Sequence, residues 1–382
     1  MEKRILYVSA GGRISGAERS LLELVSGLNG QEYVLNAAAP QVGVLSAQLA
    51  EAGVKVHRGL QFRPQKSWSP VAMASLASQW ARAVKRVVRI AEECGAQMIH
   101  SNNTAAQCIG GPASAFAHIP CLWHVRDFQS AGPLDRVLKG TSEIAVCASH
   151  ALKHYLDEIA GGQIKKKVIH NAIDSDSFTR DANPGAFREE MKLSANTPVM
   201  LMVGQLVPWK RHDTFIETLA VISEVYPQIH GAIAGEDLFG EHSWYERRLQ
   251  TLARRLHVES QMHFLGYRND VATLMADADV LVVPSEKEPF GRVALEAMAT
   301  ETPVVATRAG GLTEIVEDEE TGWLVPVGDI ERTANAIKKV LDDPDLAAQM
   351  GQKGRQRVIE HFNREKHVRQ IAEIYEQILA AE

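Results

Sequence analysis

DVLVVPSEKEPFGRVALEAMATE, residues 279–301, is the stretch on which the reading of this 382-residue chain turns. Val280-Leu281-Val282-Val283 is apolar without alternation, as expected of a parallel strand covered on both faces, and Pro284 and Ser285 end it. A turn at Pro289-Phe290-Gly291 follows, and a helical pattern starts at Arg292. In open α/β sheets, ligands sit just past the carboxyl ends of such strands. Gly291 has no Cβ, so backbone can approach a ligand closely there. The N–H groups of Arg292 and Val293 would open a helix whose positive end favours a diphosphate. Glu296, further along that helix, can accept hydrogen bonds from a ribose diol. Glu288, before the turn, would face the other end of the ligand, where a hexose carries hydroxyls. A plain amphipathic helix with one solvated Glu is the simpler alternative, but it leaves the turn and Glu288 without a purpose. The segment reads as a cradle for a sugar carried on a nucleoside diphosphate.

Working outward, the same grammar fills the chain. The first half alternates strand-like runs at 4–9, 32–38, 54–57, 97–101, 121–125, 143–149 and 167–171 with helical patterns around 17–28, 44–52, 71–94, 103–117 and 150–160. The second half repeats it with runs at 199–204, 229–235, 261–266, 279–285, 302–307 and 322–327. Alternation of this kind predicts an α/β protein with two doubly wound, Rossmann-like domains and a ligand cleft between them. The text turns polar over 172–198, where the linker is expected, giving domains at 1–175 and 176–363. The last segment, 364–382, carries Ile371, Ile374, Tyr375 and Ile378 at helical spacing. Two outcomes stand open for it: a helix packing back on the first domain, or a simple C-terminal cap.

Composition narrows the classes. Hydrophobic residues at 45% and charged residues at 23% describe a soluble globular chain, and no apolar run is long enough to span a bilayer. The short apolar run after Met1 leads into Gly11-Gly12 and reads as a first strand rather than a signal peptide. Cys94, Cys108, Cys121 and Cys147 match neither a zinc knuckle nor a redox pair, so reduced thiols in a cytoplasm are expected. The net charge of −6 hides an asymmetry: residues 1–175 balance to +6 and the remainder to −12. A basic first half suits anionic lipid headgroups or a phosphorylated acceptor, whereas nucleic acid would call for a denser basic patch. Ordinary solvated surface explains much of it equally well.

Other residues join the cradle. Gly11-Gly12-Arg13-Ile14-Ser15-Gly16 after the first strand is a glycine loop without the Walker or Rossmann spacing. Gly16 in it would touch the donor diphosphate or the acceptor, or be a simple turn glycine. In VGQLVPWKRHDTF, 203–215, Lys210 would lie within reach of a diphosphate whose charge grows as the glycosidic bond breaks. His124, in LWHVRDF at 122–128, ends a first-domain strand facing the same cleft. Arg126 and Asp127 follow as acceptor contacts or as a mutual surface pair. Asp277-Ala278-Asp279 spells DxD, yet it precedes a strand and is expected to end a helix. Lys165-Lys166-Lys167 reads as a solvated loop. Arg82, Lys85, Arg86 and Arg89 line the 71–94 helix, with Trp80, Val84, Val88 and Ile90 nearby; interfacial membrane docking and a solvated face are both open.

With these residues in view, the chain resembles the retaining glycosyltransferases of family 4, which have the GT-B architecture, and the likeness runs nearly end to end. Its most specific piece is E-x7-E, here Glu288 to Glu296 with Phe290-Gly291 inside. Gly16-Ala17-Glu18, Val203-Gly204, Lys210 and Gly310-Gly311 before Glu314 also agree. The resemblance implies that Glu288 binds the donor sugar and Glu296 the ribose. It further implies that Lys210 and the backbone from Gly291 through Arg292 to Val293 hold the diphosphate, and that His124 lies near the transferred sugar. Many members carry Arg where this chain has Gln205, which would leave diphosphate stabilisation to Lys210 with help from Arg211. His170-Asn171-Ala172-Ile173-Asp174 resembles the family's Asn-Gly-Ile-Asp turn with Ala in place of Gly. Tyr267, in the loop Gly266–Asn269, is the candidate reader of the base.

The reaction that this resemblance implies is transfer of a hexose from a nucleoside diphosphate to an acceptor hydroxyl, with retained anomeric configuration, no cofactor and no metal. The expected partners are the nucleotide-sugar donor and a lipid-linked or saccharide acceptor in cell-surface polysaccharide or glycolipid assembly, with no nucleic acid. The expected place is the cytoplasm, with peripheral contact at the inner membrane face left open. The rivals are a nucleotide-sugar epimerase of similar fold and a non-catalytic nucleotide-sugar-binding protein.

Overall fold

The computed structural model describes residues 2–30, 32–40, 43–60, 62, 69–130, 132, 135–160 and 164–381; the outermost residues of the first and last predicted segments, Met1 and Glu382, lie outside them. The chain divides into two units, Met1–Ala172 with Arg364–Glu382, and Ile173–Asn363. The first unit carries β1 (Lys3–Val8), β2 (Tyr33–Ala39), β3 (Lys55–Arg58), β4 (Met98–Ser101), β5 (Cys121–Val125), β6 (Ile144–Cys147) and β7 (Lys165–Val168). They pair in the order β3-β2-β1-β4-β5-β6-β7, every pair parallel. The second unit carries β8 (Val199–Val203), β9 (His230–Ala234), β10 (Met262–Gly266), β11 (Val280–Val283), β12 (Val304–Thr307) and β13 (Trp323–Val325). Their order is β10-β9-β8-β11-β12-β13, again all parallel. Both sheets reverse direction of growth at their first strand, the doubly wound pattern the sequence predicted.

The reason these strands do not alternate is visible in their packing. Leu281 and Val283 of β11 enter one apolar cluster, with Leu201 and Phe290. Val280 and Val282 enter another on the opposite face, with Met200 and Met202. β1 divides likewise, Ile5 and Tyr7 to one side and Leu6 and Val8 to the other. Each buried aliphatic side chain contributes roughly 1.5–3 kcal/mol against exposure, so a polar residue on either face of such a strand is strongly disfavoured.

The last helix, Arg364–Leu379, belongs to the first unit's core. Val368, Ile371, Ile374, Tyr375 and Ile378 pack with Ile5, Tyr7 and Leu21. Gly27 lets the helix Gly16–Leu28 approach it, since a Cβ there would stand 2.5 Å from Val368 Cγ2. Lys3 and Tyr33 then fix Glu376 at 2.6 and 2.8 Å. Of the two outcomes left open for this segment, packing onto the first domain is the one observed.

One local expectation fails. Lys165-Lys166-Lys167 is not a loop but most of β7, paired with β6 in parallel. It is the last strand of its sheet, and lysines suit an edge because their charge discourages a further strand from pairing there. A short helix at Asp135–Lys139 was also not foreseen. Among the described residues no helix is long and apolar enough to cross a membrane.

Candidate active site

At the carboxyl edge of the second sheet, three adjacent strands end in glycine: Gly204 after β8, Gly235 after β9 and Gly266 in β10. They bond in sequence, Gly204 N–H to Ala234 O at 2.9 Å and Gly235 N–H to Gly266 O at 2.8 Å. Gly235 sits at φ +155°, and a Cβ there would come within 1.7 Å of Gly204 O. Lys210 ends a tight turn, Pro208–Lys210, and lays its Cδ and Cε 3.8 Å from where a Gly204 Cβ would stand. Its ammonium lies 4.7 Å from the Trp209 ring centre.

The Lys210 ammonium meets Glu288 Oε2 at 2.6 Å, with both side chains largely buried. The same carboxylate oxygen accepts from Ser285 Oγ at 3.0 Å, while Ser285 O accepts from Thr307 Oγ1 at 2.6 Å. Glu288 is held from behind as well, its carbonyl accepting from Gly311 N–H at 2.9 Å. Gly310, at φ +54°, makes that possible: a Cβ there would lie 2.0 Å from Glu288 O. The Gly310-Gly311 pair therefore serves Glu288, a reason the motif match did not supply.

Beyond the turn, Gly291 opens the helix Arg292–Ala299 from the left-handed region, φ +106°. Glycine is needed here for a different reason from the one expected. Its missing Cβ points to the core, where it would stand 2.7 Å from Leu312 Cδ2, rather than toward a ligand. The first turn of this helix directs main-chain N–H groups back past Gly291. Glu296 is buried and paired with Arg292, Nε to Oε1 at 2.9 Å. Both carboxylates of the E-x7-E spacing thus stand opposite cations.

Among the other expected donor contacts, the Phe290 and Arg211 side chains are committed elsewhere. Phe290 is buried in the core with its ring 6.2 Å from that of Phe362, so its side chain is packing. Val293 packs against the same cluster. Arg211 turns to Asp213, Nε to Oδ1 at 3.1 Å. Gln205 is half-buried in the loop after β8, and Tyr267 is exposed. Arg268 beside it grips both oxygens of Glu190 at 2.6 and 2.8 Å, anchoring that loop. Asp277 ends the helix Val271–Asp277 as expected, and its carboxylate accepts from the N–H groups of Gly185 and Phe187 at 2.7 and 2.8 Å. Asp279 is paired with Arg188 at 2.8 Å, so both carboxylates of the DxD are structural. His212, following Lys210, is fully buried, and burial with the nearby Lys210 charge pushes its pKa down to about 3.

The first unit holds the remaining expected residues. Gly16 begins its helix with open space where a Cβ would be. The loop before it is closed by Glu18, which accepts from Ser15 N–H at 3.1 Å, and by Gly43, whose Cβ would lie 2.2 Å from Gly12 O. Glu18 belongs to the Gly16-Ala17-Glu18 match, whereas Gly43 did not stand out in the sequence. His124 is fully buried, with Nδ1 3.2 Å from both His100 Nε2 and Arg126 Nη2. His100 Nδ1 meets Tyr375 Oη at 2.6 Å, and Tyr375 Oη meets Tyr7 Oη at 3.0 Å. Burial, then the Arg126 charge, holds both imidazoles far below the usual histidine range and so neutral.

Arg126 and Asp127 are not a surface pair. Arg126 is buried and bonded to Asn171 and His124. Asp127 accepts from Thr104 Oγ1 at 2.8 Å, and burial pushes its pKa up to about 6. In the helix Pro70–Cys94, Val84 and Ile90 are core residues, whereas Arg82, Lys85 and Arg89 are exposed.

Comparison with known proteins fits this geometry. Residues 185–357 match the family described as Glycosyl transferases group 1. The likeness of this segment is to a glycosyltransferase group 1 domain. N-acetyl-alpha-D-glucosaminyl L-malate synthase of Bacillus anthracis is 31% identical over 240 residues, 62% of this chain and 60% of that one. The UDP-Gal:alpha-D-GlcNAc-diphosphoundecaprenol alpha-1,3-galactosyltransferase of Escherichia coli is 26% identical over 73% of this chain and 74% of its own. The chain spans about three fifths or less of the length of the curated relatives it matches at 30% identity or more. Among solved structures, Anabaena HepE in complex with UDP-glucose superposes with a TM-score of 0.84 at 28% identity, covering 98% of this chain and 99% of that one. The fold is GT-B.

Proposed function

We propose that this chain is a retaining, metal-independent glycosyltransferase of family 4 that moves a hexose from a nucleoside diphosphate to an acceptor hydroxyl. The observation that carries the reading is the Lys210–Glu288 pair beside the Gly291 helix start. A cation and a carboxylate that satisfy each other can exchange that pairing for a diphosphate and a sugar hydroxyl. In this reading Lys210 and the helix start take the diphosphate, Glu288 the sugar, and Glu296 the ribose. The first unit takes the acceptor, and His124 donates to a hydroxyl of the transferred sugar. UDP in the solved complexes of Anabaena HepE supports a uridine donor.

Retention follows from a front-face transfer. The acceptor oxygen bonds to the anomeric carbon on the face that the diphosphate leaves, and its proton passes to a diphosphate oxygen. Lys210 and the helix dipole stabilise the charge gathering on the leaving group. The DxD carboxylates are committed to backbone and to Arg188, which supports a diphosphate held without them. The E. coli relative's diphosphoundecaprenol acceptor and the basic first half support a lipid-linked or saccharide acceptor in cell-surface polysaccharide or glycolipid assembly. Work on such an acceptor would bring a cytoplasmic chain to the inner face of the membrane.

The test pairs a thermal-shift screen of nucleoside diphosphates and their sugars with Glu288→Gln. Glu288→Gln is expected to lower kcat/KM for the nucleotide sugar at least tenfold, the loss of about one strong hydrogen bond, while the free nucleotide still raises Tm as in wild type. Equal loss of both would remove Glu288 from the sugar. An isomerised donor formed with no acceptor present would replace the transferase with an epimerase.

A further inference from the structure

The buried polar chain in the first unit has a direction, and one residue sets it. An Arg guanidinium carries donors only. Its Nη2 stands 3.2 Å from His124 Nδ1, so that nitrogen must be the acceptor. His100 Nε2, also 3.2 Å from His124 Nδ1, then carries a hydrogen and shares that single lone pair with Arg126, since a bare Nε2 would set two lone pairs face to face. A neutral imidazole has one N–H, which makes His100 Nδ1 an acceptor for Tyr375 Oη, and Tyr375 in turn an acceptor for Tyr7. Every proton from Tyr7 to His124 is thereby placed. The chain ends at His124 Nε2, which must bear the ring hydrogen yet has no partner among the described residues, on a side chain with no solvent exposure.

We propose that Arg126 is a positioning residue that locks His124 as the Nε2–H tautomer, so that β5 presents a fixed, uncharged N–H donor to a ligand oxygen. The ligand class is an alcohol or ether oxygen, and naming it as a hydroxyl of the transferred sugar rests on the function proposed above. Arg126 thereby leaves the acceptor side, where the sequence placed it. Its own position is set by Asn171 Oδ1, which receives Nη1. His100 and Tyr375 complete the lock, since reversing either one would bring two lone pairs or two hydrogens face to face. The terminal helix, through Tyr375, supports a site whose visible residues lie about 250 positions earlier.

The experiment reads the ring nitrogens directly, using two-bond proton–nitrogen spectra of the full-length chain labelled with nitrogen-15 in its histidines. In wild type, His124 is expected to show a protonated Nε2 and a bare Nδ1. Arg126→Met removes the donor at similar length, and the His100–His124 bond can then run either way, so both His124 tautomers are expected. In the same variant kcat/KM for the nucleotide sugar should fall about tenfold, the value of one misdirected hydrogen bond, with the affinity for free nucleoside diphosphate unchanged. Arg126→Lys, still a pure donor, should restore the single tautomer. A hydrogen on His124 Nδ1 in wild type, or a single Nε2–H tautomer surviving in Arg126→Met, overturns the proposal. If the Met variant does not fold, wild type and Arg126→Lys decide: a mixed tautomer in either overturns it. The predicted tautomers without any sugar transfer by wild type would support the lock and sink the function proposed above.

Discussion

The two units bury polar groups in opposite ways. In the second, carboxylates face cations: Glu288 with Lys210 and Glu296 with Arg292, each at hydrogen-bond distance. In the first, neutral phenols and imidazoles run from Tyr7 through Tyr375 and His100 to His124, with one guanidinium at the end. Ion pairs at the edge of a sheet can trade partners with an anionic ligand, because attraction between charges has no fixed direction. A directed chain of neutral groups cannot trade without reversing every member. The first arrangement suits a departing diphosphate, and the second suits recognition of an uncharged hydroxyl.

Breaking the ionic side should have the largest effect. Lys210→Ala is expected to lower kcat about 10²-fold or more, as when a single donor to a developing charge is removed. Wild-type kcat in that variant would take Lys210 out of the chemistry. Next comes the neutral side, where Tyr375→Phe deletes one hydroxyl and strips partners from both Tyr7 and His100. With these groups buried, the expected loss is about 1–3 kcal/mol of unfolding free energy, read by urea titration. A loss within experimental error would mean that water fills the gap.

The smallest effect sharpens the comparison through pH. His100, His124 and His212 are buried neutral, with folded pKa values below the ordinary 6.5. The unfolded chain therefore binds protons that the folded chain refuses. The stability they contribute is complete above pH 6.5 and is lost as pH falls, down to about 3 for His212. Each should cost about 1.4 kcal/mol per pH unit below the unfolded value. Asp127 works the other way: burial raises its pKa to about 6, so its share of stability declines as pH rises from 3.8 to 6. Stability in His212→Gln should fall less steeply between pH 6.5 and 4 than in wild type. Parallel curves would show that His212 accepts a proton in the folded state.

Much of the second unit's site was legible because it is local. Glu288, Gly291 and Glu296 lie on one strand–turn–helix unit, and Lys210 follows a neighbouring strand, so spacing alone gathers them. Even there the reasons needed coordinates: Gly291 serves Leu312 rather than a ligand, Phe290 is core, and Arg211 is committed to Asp213. The first unit's network was illegible. His124 drew notice by its position at a strand end and by the family resemblance, and Arg126 was read outward when its side chain turns in. His100 and Tyr375, 275 residues apart, read as a strand residue and a packing residue. Lys165–Lys167 looked like a loop because charge is a poor guide to an edge strand.

Apolar runs without alternation, punctuated by glycine and proline, determined by themselves that this chain builds two parallel sheets, since burial on both faces leaves no other use for them. Only the tertiary structure decided which polar groups meet inside those layers and which way their protons point. Hydrophobic burial depends on composition along a segment, whereas a hydrogen bond depends on atoms placed to within tenths of an ångström, and only the assembled fold fixes that.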